Sequence, residues 1–404
     1  MAANPRRPAM NLIDKLPIDG HRVLIRVDFN VPIEGGDVAD DSRIRAALPT
    51  IVHAIERGAR VILCSHLGRP KGKPDPAFSL APAGSVLAEL LGREVILSDS
   101  PVGDGPTRLA KDLRDGGVLL LENVRFHPGE TSNDDALSKA LAALTDFYVN
   151  DAFGTAHRAH ASTVGVTQFV REKAFGFLMA KEVEALGRLL AAPREGFVAV
   201  LGGAKVSDKI AVIQRLLSKV DTLLIGGAMA YTFLAAQGHR VGRSLVEEGH
   251  LGTARDVLST AKRRGVQVLL PIDHRCATEL KPDAKPRFVT EVDISDELMG
   301  LDIGDRTAAA YGEVLRAAKT VFWNGPMGVF EQPAFAHGTR AVADALAASS
   351  AWSVVGGGDS VRAVNESGKA DAIGHISTGG GASLEFIEGR ELPGLTALGY
   401  RRPT

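Results

Sequence analysis

Short apolar runs alternate with longer stretches of helical periodicity along this chain. Runs bounded by glycine, proline or polar residues predict buried strands, whereas apolar positions at helical spacing predict helices such as SRIRAALPTIVHAIERG and KIAVIQRLLSKV. The regular alternation of strand and helix predicts an α/β fold, in which parallel sheets are covered by helices on both faces. The predicted strands span residues 21–29, 59–65, 94–100, 117–126, 146–151, 197–203, 221–228, 267–274, 320–325 and 352–358.

The helical stretch at residues 178–190 marks a boundary, because Pro193 and Gly196 follow it and similar strand patterns lie on either side. A chain of 404 residues is long enough for two domains. We therefore expect two similar Rossmann-like lobes, joined by this connector helix with a cleft between them. The predicted bounds are 1–177 for the first lobe, 178–190 for the connector and 191–390 for the second lobe.

Composition and charge narrow the possible partners. The net charge of −1 and the pI of about 6.8 provide no basic field, so we expect neither nucleic acid nor a membrane as partner. Cys64 and Cys276 are too few for a disulfide framework or a four-ligand metal site. Because the chain shows no signal-peptide pattern, we expect a cytoplasmic protein. Residues 1–10 are expected to be a disordered extension with little bearing on function.

Polar and basic residues follow the predicted strands of the first half. In open parallel sheets, ligands bind beyond the carboxyl ends of the strands. Any one of these residues alone is more often solvated or ion-paired, but their grouping in one lobe favours a site for a compact anion. The group consists of Asp28, Asn30, Arg43, His66, Arg69, Arg125 and Arg158.

Glycine clusters follow the predicted strands of the second half, in LGGAKVSDK, LIGGAM, WNGPMGVF, VVGGGDS and STGGGASLE. They match neither the P-loop nor the dinucleotide fingerprint, and a lone glycine pair is often only a turn. Lys205 and Lys209 lie one turn apart where a helix is expected to start, which favours anion binding, although a solvated lysine pair would look the same. Asp359 could hold Mg²⁺, cap a helix, or do both. These clusters predict a polyphosphate site.

At this point the chain resembles the phosphoglycerate kinase family, from about residue 11 to near the C-terminus. The resemblance lies in long motifs in the family's order: RVDFNVP, DSRIRAALPT, SHLGRP, ENVRF, AFGTAHRAHAS, LGGAKVSDKI, FWNGPMGVFE, VVGGGDS and STGGGASLEFIEGRELPG. It implies reversible, Mg²⁺-dependent phosphoryl transfer between 1,3-bisphosphoglycerate and ADP, giving 3-phosphoglycerate and ATP, in glycolysis and gluconeogenesis. It also implies a monomer and a tail, residues 391–404, that packs back on the first lobe.

The resemblance assigns roles to individual residues. The positions for the 3-phosphoglycerate moiety are matched by Asp28, Asn30, Arg43, His66, Arg69, Arg125 and Arg158. The nucleotide positions are matched by Lys205, Lys209, Gly226, Gly227, Asn324, Glu331, Gly357, Gly358, Asp359 and Ser360, with Asp359 at the metal. Position 360 is often threonine in the family, and Ser360 keeps the hydroxyl.

The chemistry of this reaction needs no general base, because the acceptor is a carboxylate that is already ionised at neutral pH. We expect catalysis to come from positive charge on the transferring group, supplied by Arg43 and Lys205. Closure about the connector helix would exclude water. Two alternatives stay open: an NAD-dependent oxidoreductase, disfavoured by the missing fingerprint, and a catalytically idle nucleotide- or phosphate-binding protein with the same fold.

Overall fold

A computed structural model describes residues 10–402 of the chain. The expected N-terminal extension therefore lies almost wholly outside the described residues, as do residues 403–404 of the predicted tail. Contacts within the chain define two compact units. Unit 1 runs to Glu184 and includes the chain from Arg390 onward, and unit 2 runs from Ala185 to Gly389. The boundary between unit 1 and unit 2 falls inside a helix. The ligands that the sequence predicts for the two lobes stay predictions.

Unit 1 contains a six-stranded parallel sheet in the order β5-β6-β4-β1-β7-β8. The central strands are apolar on both faces because helices cover both sides of the sheet. Val23, Ile25 and Val61 belong to the core on one of these faces. A two-stranded antiparallel hairpin, β2-β3, follows β1 along the chain. The strands are β1 Arg22–Arg26, β2 Ile33–Glu34, β3 Asp37–Val38, β4 Arg60–Cys64, β5 Ile96–Leu97, β6 Val118–Leu120, β7 Phe147–Asn150 and β8 Glu172–Phe175.

Unit 2 contains a second six-stranded parallel sheet, in the order β11-β10-β9-β15-β16-β17, and a three-stranded antiparallel sheet, β13-β12-β14. Trp323 and Val200 are fully buried in its main core. In the large sheet, the strands follow chain order outward from β9 to β11 on one side and outward from β15 to β17 on the other. This is the strand order of a doubly wound nucleotide-binding fold, and the direction reverses between β9 and β15. The strands are β9 Phe197–Leu201, β10 Thr222–Ile225, β11 Gln267–Leu269, β12 His274–Ala277, β13 Arg287–Val289, β14 Met299–Ile303, β15 Thr320–Asn324, β16 Trp352–Gly356 and β17 His375–Ile376.

Helices connect the strands in both units. Unit 1 has α1 Ser42–Glu56, α2 Ala81–Leu91, α3 Asp104–Asp112 and α4 Asp135–Ala143, followed by α5 Phe177–Ala191, in which the boundary between the units falls. Unit 2 has α6 Ile210–Leu216, α7 Met229–Ala236, α8 Leu251–Arg264, α9 Asp305–Ala317, α10 His337–Ala347, α11 Gly358–Glu366 and α12 Gly381–Glu388. The final helix, α13 Pro393–Thr396, belongs to unit 1, where the amide of Gly394 donates to the carbonyl of Ala156 at 2.8 Å. Within residues 10–402, no helix is both long and apolar enough to cross a membrane.

The two parallel sheets with helical cover confirm the predicted α/β fold class. One predicted strand was wrong: the run at 267–274 divides into β11 and the start of β12, which lie in different sheets. Pro271 interrupts this run, and a proline has no N–H to give to a ladder. The pattern also gave no prediction for β2, β3, β8, β13, β14 or β17. Of these, β8 and β17 are short edge strands of the two parallel sheets and contain polar residues.

Candidate active site

Four of the predicted anion-binding residues of unit 1 meet near the carboxyl ends of β1 and β4. Arg43, near the start of α1, donates to Asp28 at 3.0 Å and to the carbonyl of Asn30 at 3.3 Å. The side-chain oxygen of Asn30 accepts from the amide of Gly68 at 2.8 Å, which links the loop after β1 to the loop after β4. His66 is 3% exposed, and its Nδ1 lies 3.8 Å from Asp28. Four of the seven predicted residues, Asp28, Asn30, Arg43 and His66, therefore lie in one cluster.

The other three line a cavity of about 580 Å³ in the same unit. Arg69 is exposed at its rim, whereas Arg125 is buried and donates to the carbonyl of Gly68 at 2.6 Å. Burial, with the charges of Arg158 and another arginine nearby, lowers the pKa of Arg125 to about 10. Arg158 donates to the ring of His157 at 3.1 Å. Lys71, His127 and Thr131, which sequence reasoning did not assign, also line the cavity, as does His160.

A buried polar network beside this cavity was also missed. Arg26, the last residue of β1, is 1% exposed and donates through Nε to the hydroxyl of Ser162 at 2.8 Å. Ser162 donates in turn to Glu130 at 2.6 Å. Burial alone would raise the pKa of Glu130, but the neighbouring His160, Arg26 and Ser162 outweigh it and hold that pKa below its usual value. The signal that could have found Arg26 is a charged residue inside an otherwise apolar strand.

The glycine clusters of unit 2 meet where the strand order reverses. The amide of Gly202 donates to Asn324 O at 3.0 Å, and that of Gly203 donates to Pro326 O at 2.9 Å, which joins the loops after β9 and β15. The amide of Gly227 donates to Met327 O at 2.9 Å, so the loop after β10 joins them. A Cβ on Gly227 would lie 2.4 Å from Gly203 N. These glycines therefore allow backbones to pack closely, a role that the sequence analysis did not include beside phosphate binding and turns.

Lys209 lies within this group of loops, and its Nζ donates to the side-chain oxygen of the buried Asn324. Burial lowers the pKa of Lys209 to about 8, against the opposing charges of Asp208 and Asp359. Lys205 is exposed in the turn before Ser207–Lys209, a short 3₁₀ helix that leads into α6.

The helix start in this segment differs from the prediction. Helix α6 begins at Ile210, after both lysines. The carboxylate of Glu247 accepts from the amides of Val206 at 2.5 Å and Ser207 at 3.0 Å, so these donors are already satisfied. This segment therefore offers its two lysine side chains to an anion, but not the amides of Val206 and Ser207.

The segment VVGGGDS crosses from β16 to α11. Gly357 has a φ of +90°, and a Cβ on it would lie 2.7 Å from the Asn324 side-chain nitrogen, so a side chain there would be strained and crowded. A Cβ on Gly358 would meet nothing within 4 Å. Ser360 is fully buried, and its hydroxyl accepts from the amide of Gly325 at 2.6 Å. The hydroxyl retained at position 360 therefore holds the loop after β15.

The remaining predicted nucleotide residues lie around this edge of the sheet. Asp359 is exposed in the first turn of α11, where Gly357 occupies the cap position, so Asp359 is not the N-cap. Glu331 is half exposed and pairs with Arg362 at 3.5 Å. A Cβ on Gly226 would lie 2.5 Å from the Met327 sulfur. These residues and Lys209 belong to unit 2, as the resemblance implied for a nucleotide site.

The donor set suits a magnesium ion that arrives with a phosphate ligand. Among residues 10–402, no three His, Cys, Asp or Glu side chains lie together so that they could hold a metal ion. Mg²⁺ usually takes one or two carboxylates, with water and substrate phosphates completing its shell. The exposed carboxylate of Asp359 fits this pattern.

Comparisons with known proteins agree with this geometry. The family model described as phosphoglycerate kinase matches residues 13–390. The chain is 60% identical over 392 residues to a phosphoglycerate kinase of Anaeromyxobacter sp. (strain K), covering 96% of this chain and 99% of the relative. It is 52% identical over 388 residues to one of Clostridium botulinum (strain Hall), covering 96% and 98%.

Solved structures give the same result. The structure of phosphoglycerate kinase from Coxiella burnetii is 43% identical, with a TM-score of 0.86 and coverage of 98% of this chain and 100% of that one. The enzyme from Pyrococcus horikoshii OT3 is 34% identical, with a TM-score of 0.83 and coverage of 96% and 98%.

Unit 1 combines a parallel sheet with a basic cavity, and unit 2 combines a parallel sheet with glycine loops at its switch point. This combination is suited to a phosphotransferase. These matches make the class a kinase rather than a dehydrogenase, which sets the NAD-dependent alternative aside. The chain belongs to the phosphoglycerate kinase family.

Proposed function

We propose that this protein transfers a phosphoryl group reversibly between 1,3-bisphosphoglycerate and MgADP. The observation that carries this proposal is the cavity of about 580 Å³ in unit 1, whose ionisable lining is wholly basic: Arg69, Lys71, Arg125, His127, Arg158 and His160. Such a lining suits a small ligand with a phosphate at one end and a carboxylate or acyl phosphate at the other. Asp28, Asn30, Arg43 and His66 complete the proposed 3-phosphoglycerate site.

The nucleotide is proposed to bind unit 2 at the reversal of strand order. Lys209, Asn324 and the loop from Gly357 to Ser360 support this assignment, because they gather at the switch point of a doubly wound sheet. Gly226 and Gly227 form part of the proposed adenine wall, and Glu331 is proposed for the ribose. Mg²⁺, held by Asp359 with the phosphates, would neutralise charge on the transferring group.

Catalysis in this proposal is electrostatic. The acceptor carboxylate of 3-phosphoglycerate is ionised at neutral pH, so no side chain has to remove a proton. Negative charge on the transferring phosphoryl is stabilised by the guanidinium of Arg43 and the ammonium of Lys205. By analogy with arginine fingers, a cation in this role contributes about 10³ to 10⁵ in rate. Helix α5 is the proposed hinge, and scattering curves that stay the same when both ligands are added would contradict this part.

The direct test is ADP formation from MgATP by the purified protein, with and without 3-phosphoglycerate. We expect turnover that requires 3-phosphoglycerate and that falls by about 10³ or more in Lys205→Ala. The matched control is Lys262→Ala, which removes an exposed lysine on α8, and it should keep wild-type activity. A folded protein that binds MgATP without turnover would instead support the catalytically idle alternative.

A further inference from the structure

A chain of buried hydrogen bonds leads from Glu130 to His66 within unit 1. Glu130 accepts from the Ser162 hydroxyl at 2.6 Å and from the Ser162 amide at 2.9 Å. The Ser162 hydroxyl accepts from Arg26 Nε at 2.8 Å, and Arg26 Nη2 lies 3.2 Å from His66 Nδ1. All four residues are at most 3% exposed. Each of these hydrogen bonds is therefore shielded from water. In the protein interior a hydrogen bond is stronger than in water and fixes the geometry of its partners more firmly.

The proton positions in this chain follow from the chemistry of its members. A guanidinium carries only donors and stays protonated, so His66 Nδ1 must be the acceptor in its contact with Arg26. A ring nitrogen that accepts carries no proton, and a neutral imidazole then has its single N–H at Nε2. A protonated ring would direct an N–H at the guanidinium. Burial, followed by the charge of Arg26, lowers the pKa of His66 well below its ordinary value, in agreement with a neutral ring.

Asp28 is the one competitor for Nδ1 that the structure records. Its Oδ1 lies 3.8 Å from Nδ1, which is beyond hydrogen-bond distance. The same carboxylate is already bonded to Arg43 at 3.0 Å, and it accepts from the Asn30 amide at 3.4 Å. The shorter contact, from Arg26, therefore decides the tautomer.

We propose that Arg26 is a positioning residue, which holds His66 as the neutral tautomer protonated at Nε2 and so presents that N–H as the donor to an anionic ligand. Glu130 and Ser162 hold the guanidinium in place. His66 lies in the cluster with Asp28, and the charges of Arg125 and Arg158, which line the cavity, act on its ring. The inference rests on the proposed function only for the identity of the ligand, since the tautomer is a property of the free protein.

The test reads the tautomer directly by two-bond ¹H–¹⁵N correlation spectra of ¹⁵N-histidine-labelled protein at pH 7. The His66 signals are identified among those of the 11 histidines by their loss in His66→Asn. We expect an unprotonated Nδ1 and a protonated Nε2 in the wild type. Arg26→Met removes the donor, and we expect Nδ1 to become protonated in part or in full. Arg22→Met is the matched control, because Arg22 lies on the same strand and pairs with Asp146 at 2.7 Å instead.

Steady-state kinetics supply the functional readout. In Arg26→Met we expect the KM for 3-phosphoglycerate to rise about tenfold or more with kcat little changed, since a hydrogen bond to a charged ligand is weakened. Arg26→Lys keeps a cationic donor, and it should keep the tautomer and recover most of the affinity. Arg22→Met should match the wild type in both measurements.

The outcomes separate this inference from the proposed function. A wild-type His66 protonated at Nδ1, or an unchanged tautomer in Arg26→Met, would overturn the inference whatever the activity. If Arg26→Met does not fold, the wild type and Arg26→Lys still decide the question. A His66 ring without a proton at Nε2 in either protein would overturn the inference. Absence of turnover with 3-phosphoglycerate, together with the expected tautomer, would reject the proposed reaction and leave the role of Arg26 standing.

Discussion

Lys209 gives the sharpest link between the geometry of unit 2 and a measurable property. Its ammonium is partly buried among the loops of the proposed nucleotide site, and burial lowers its pKa to about 8 in the free protein. Asp208 and Asp359 oppose this shift but do not cancel it. A bound phosphate would favour the charged form and move the pKa back toward the ordinary value for lysine. Binding of MgADP should therefore take up a proton in the alkaline range.

The sign and size follow from this single equilibrium. Below pH 8 the free protein already carries the ammonium, so affinity has its full value there. Above pH 8 a growing share of the free protein is neutral at Lys209 and must be protonated on binding, so affinity falls as pH rises. With a pKa of about 8, roughly one tenth of the free protein is neutral at pH 7 and roughly nine tenths at pH 9. The expected loss of affinity between these values is about tenfold, or about 1.4 kcal/mol.

Isothermal titration calorimetry with MgADP at pH 7, 8 and 9 measures both quantities, when each titration is repeated in buffers of different ionisation enthalpy. We expect uptake of about half a proton at pH 8. Lys209→Arg keeps its charge at every pH, so both the proton uptake and the tenfold loss should vanish. Lys205→Arg changes an exposed lysine in the same segment and should leave them in place. Proton uptake that persists in Lys209→Arg would refute the reasoning.

Three further perturbations test other parts of the structure. Burial raises the pKa of Asp151 to about 6 from 3.8. The protonated carboxyl therefore stabilises the fold fully below pH 3.8, and this stabilisation is lost above about pH 6. Relative to Asp151→Asn, urea unfolding should show the free energy of unfolding of the wild type falling by about 3 kcal/mol from pH 4 to 7. A pH-independent difference would contradict this. Gly227→Ala should lower stability by about 1–3 kcal/mol, because φ is +67° and the neighbouring backbone is too close, whereas Gly249→Ala has open space and should lower thermal stability far less. Arg43→Ala should mainly lower kcat and Arg158→Ala should mainly raise the KM for 3-phosphoglycerate, and equal effects on both parameters in both variants would contradict their assigned roles.

Strand positions were predictable where a continuous apolar run ended in polar or glycine residues. The runs at 197–203 and 320–325 became β9 and β15, both buried along their whole length. The run at 267–274 was divided by Pro271 between two sheets, and hydrophobicity alone does not show which edge a strand joins. Strand order is likewise a tertiary property, because β9 pairs with β15, some 120 residues later.

The candidate site likewise contains some residues whose positions were predictable from the sequence and others whose contacts were not. Residues that follow strands, such as Asn30 and His66, were predictable because the carboxyl ends of parallel strands gather at one edge of a sheet. The glycines were only half explained, because Gly202 and Gly227 pack against the backbones of other loops rather than facing open space. A sequence pattern shows where the chain turns, but it does not show which neighbour takes up the space.

Arg26 shows where prediction from one sequence ends. Its partners His66 and Ser162 lie 40 and 136 residues away, and no local pattern connects them. An arginine at the end of a central strand cannot be left without partners in the interior, since an uncompensated buried charge destabilises a fold by several kcal/mol. The sequence therefore requires that some acceptors surround Arg26, but only the strand order brings a histidine to one side and a serine–glutamate pair to the other. That arrangement brings the Arg26 guanidinium within 3.2 Å of His66 Nδ1, and it ties the chemistry of the proposed substrate site to the packing of the core beneath it.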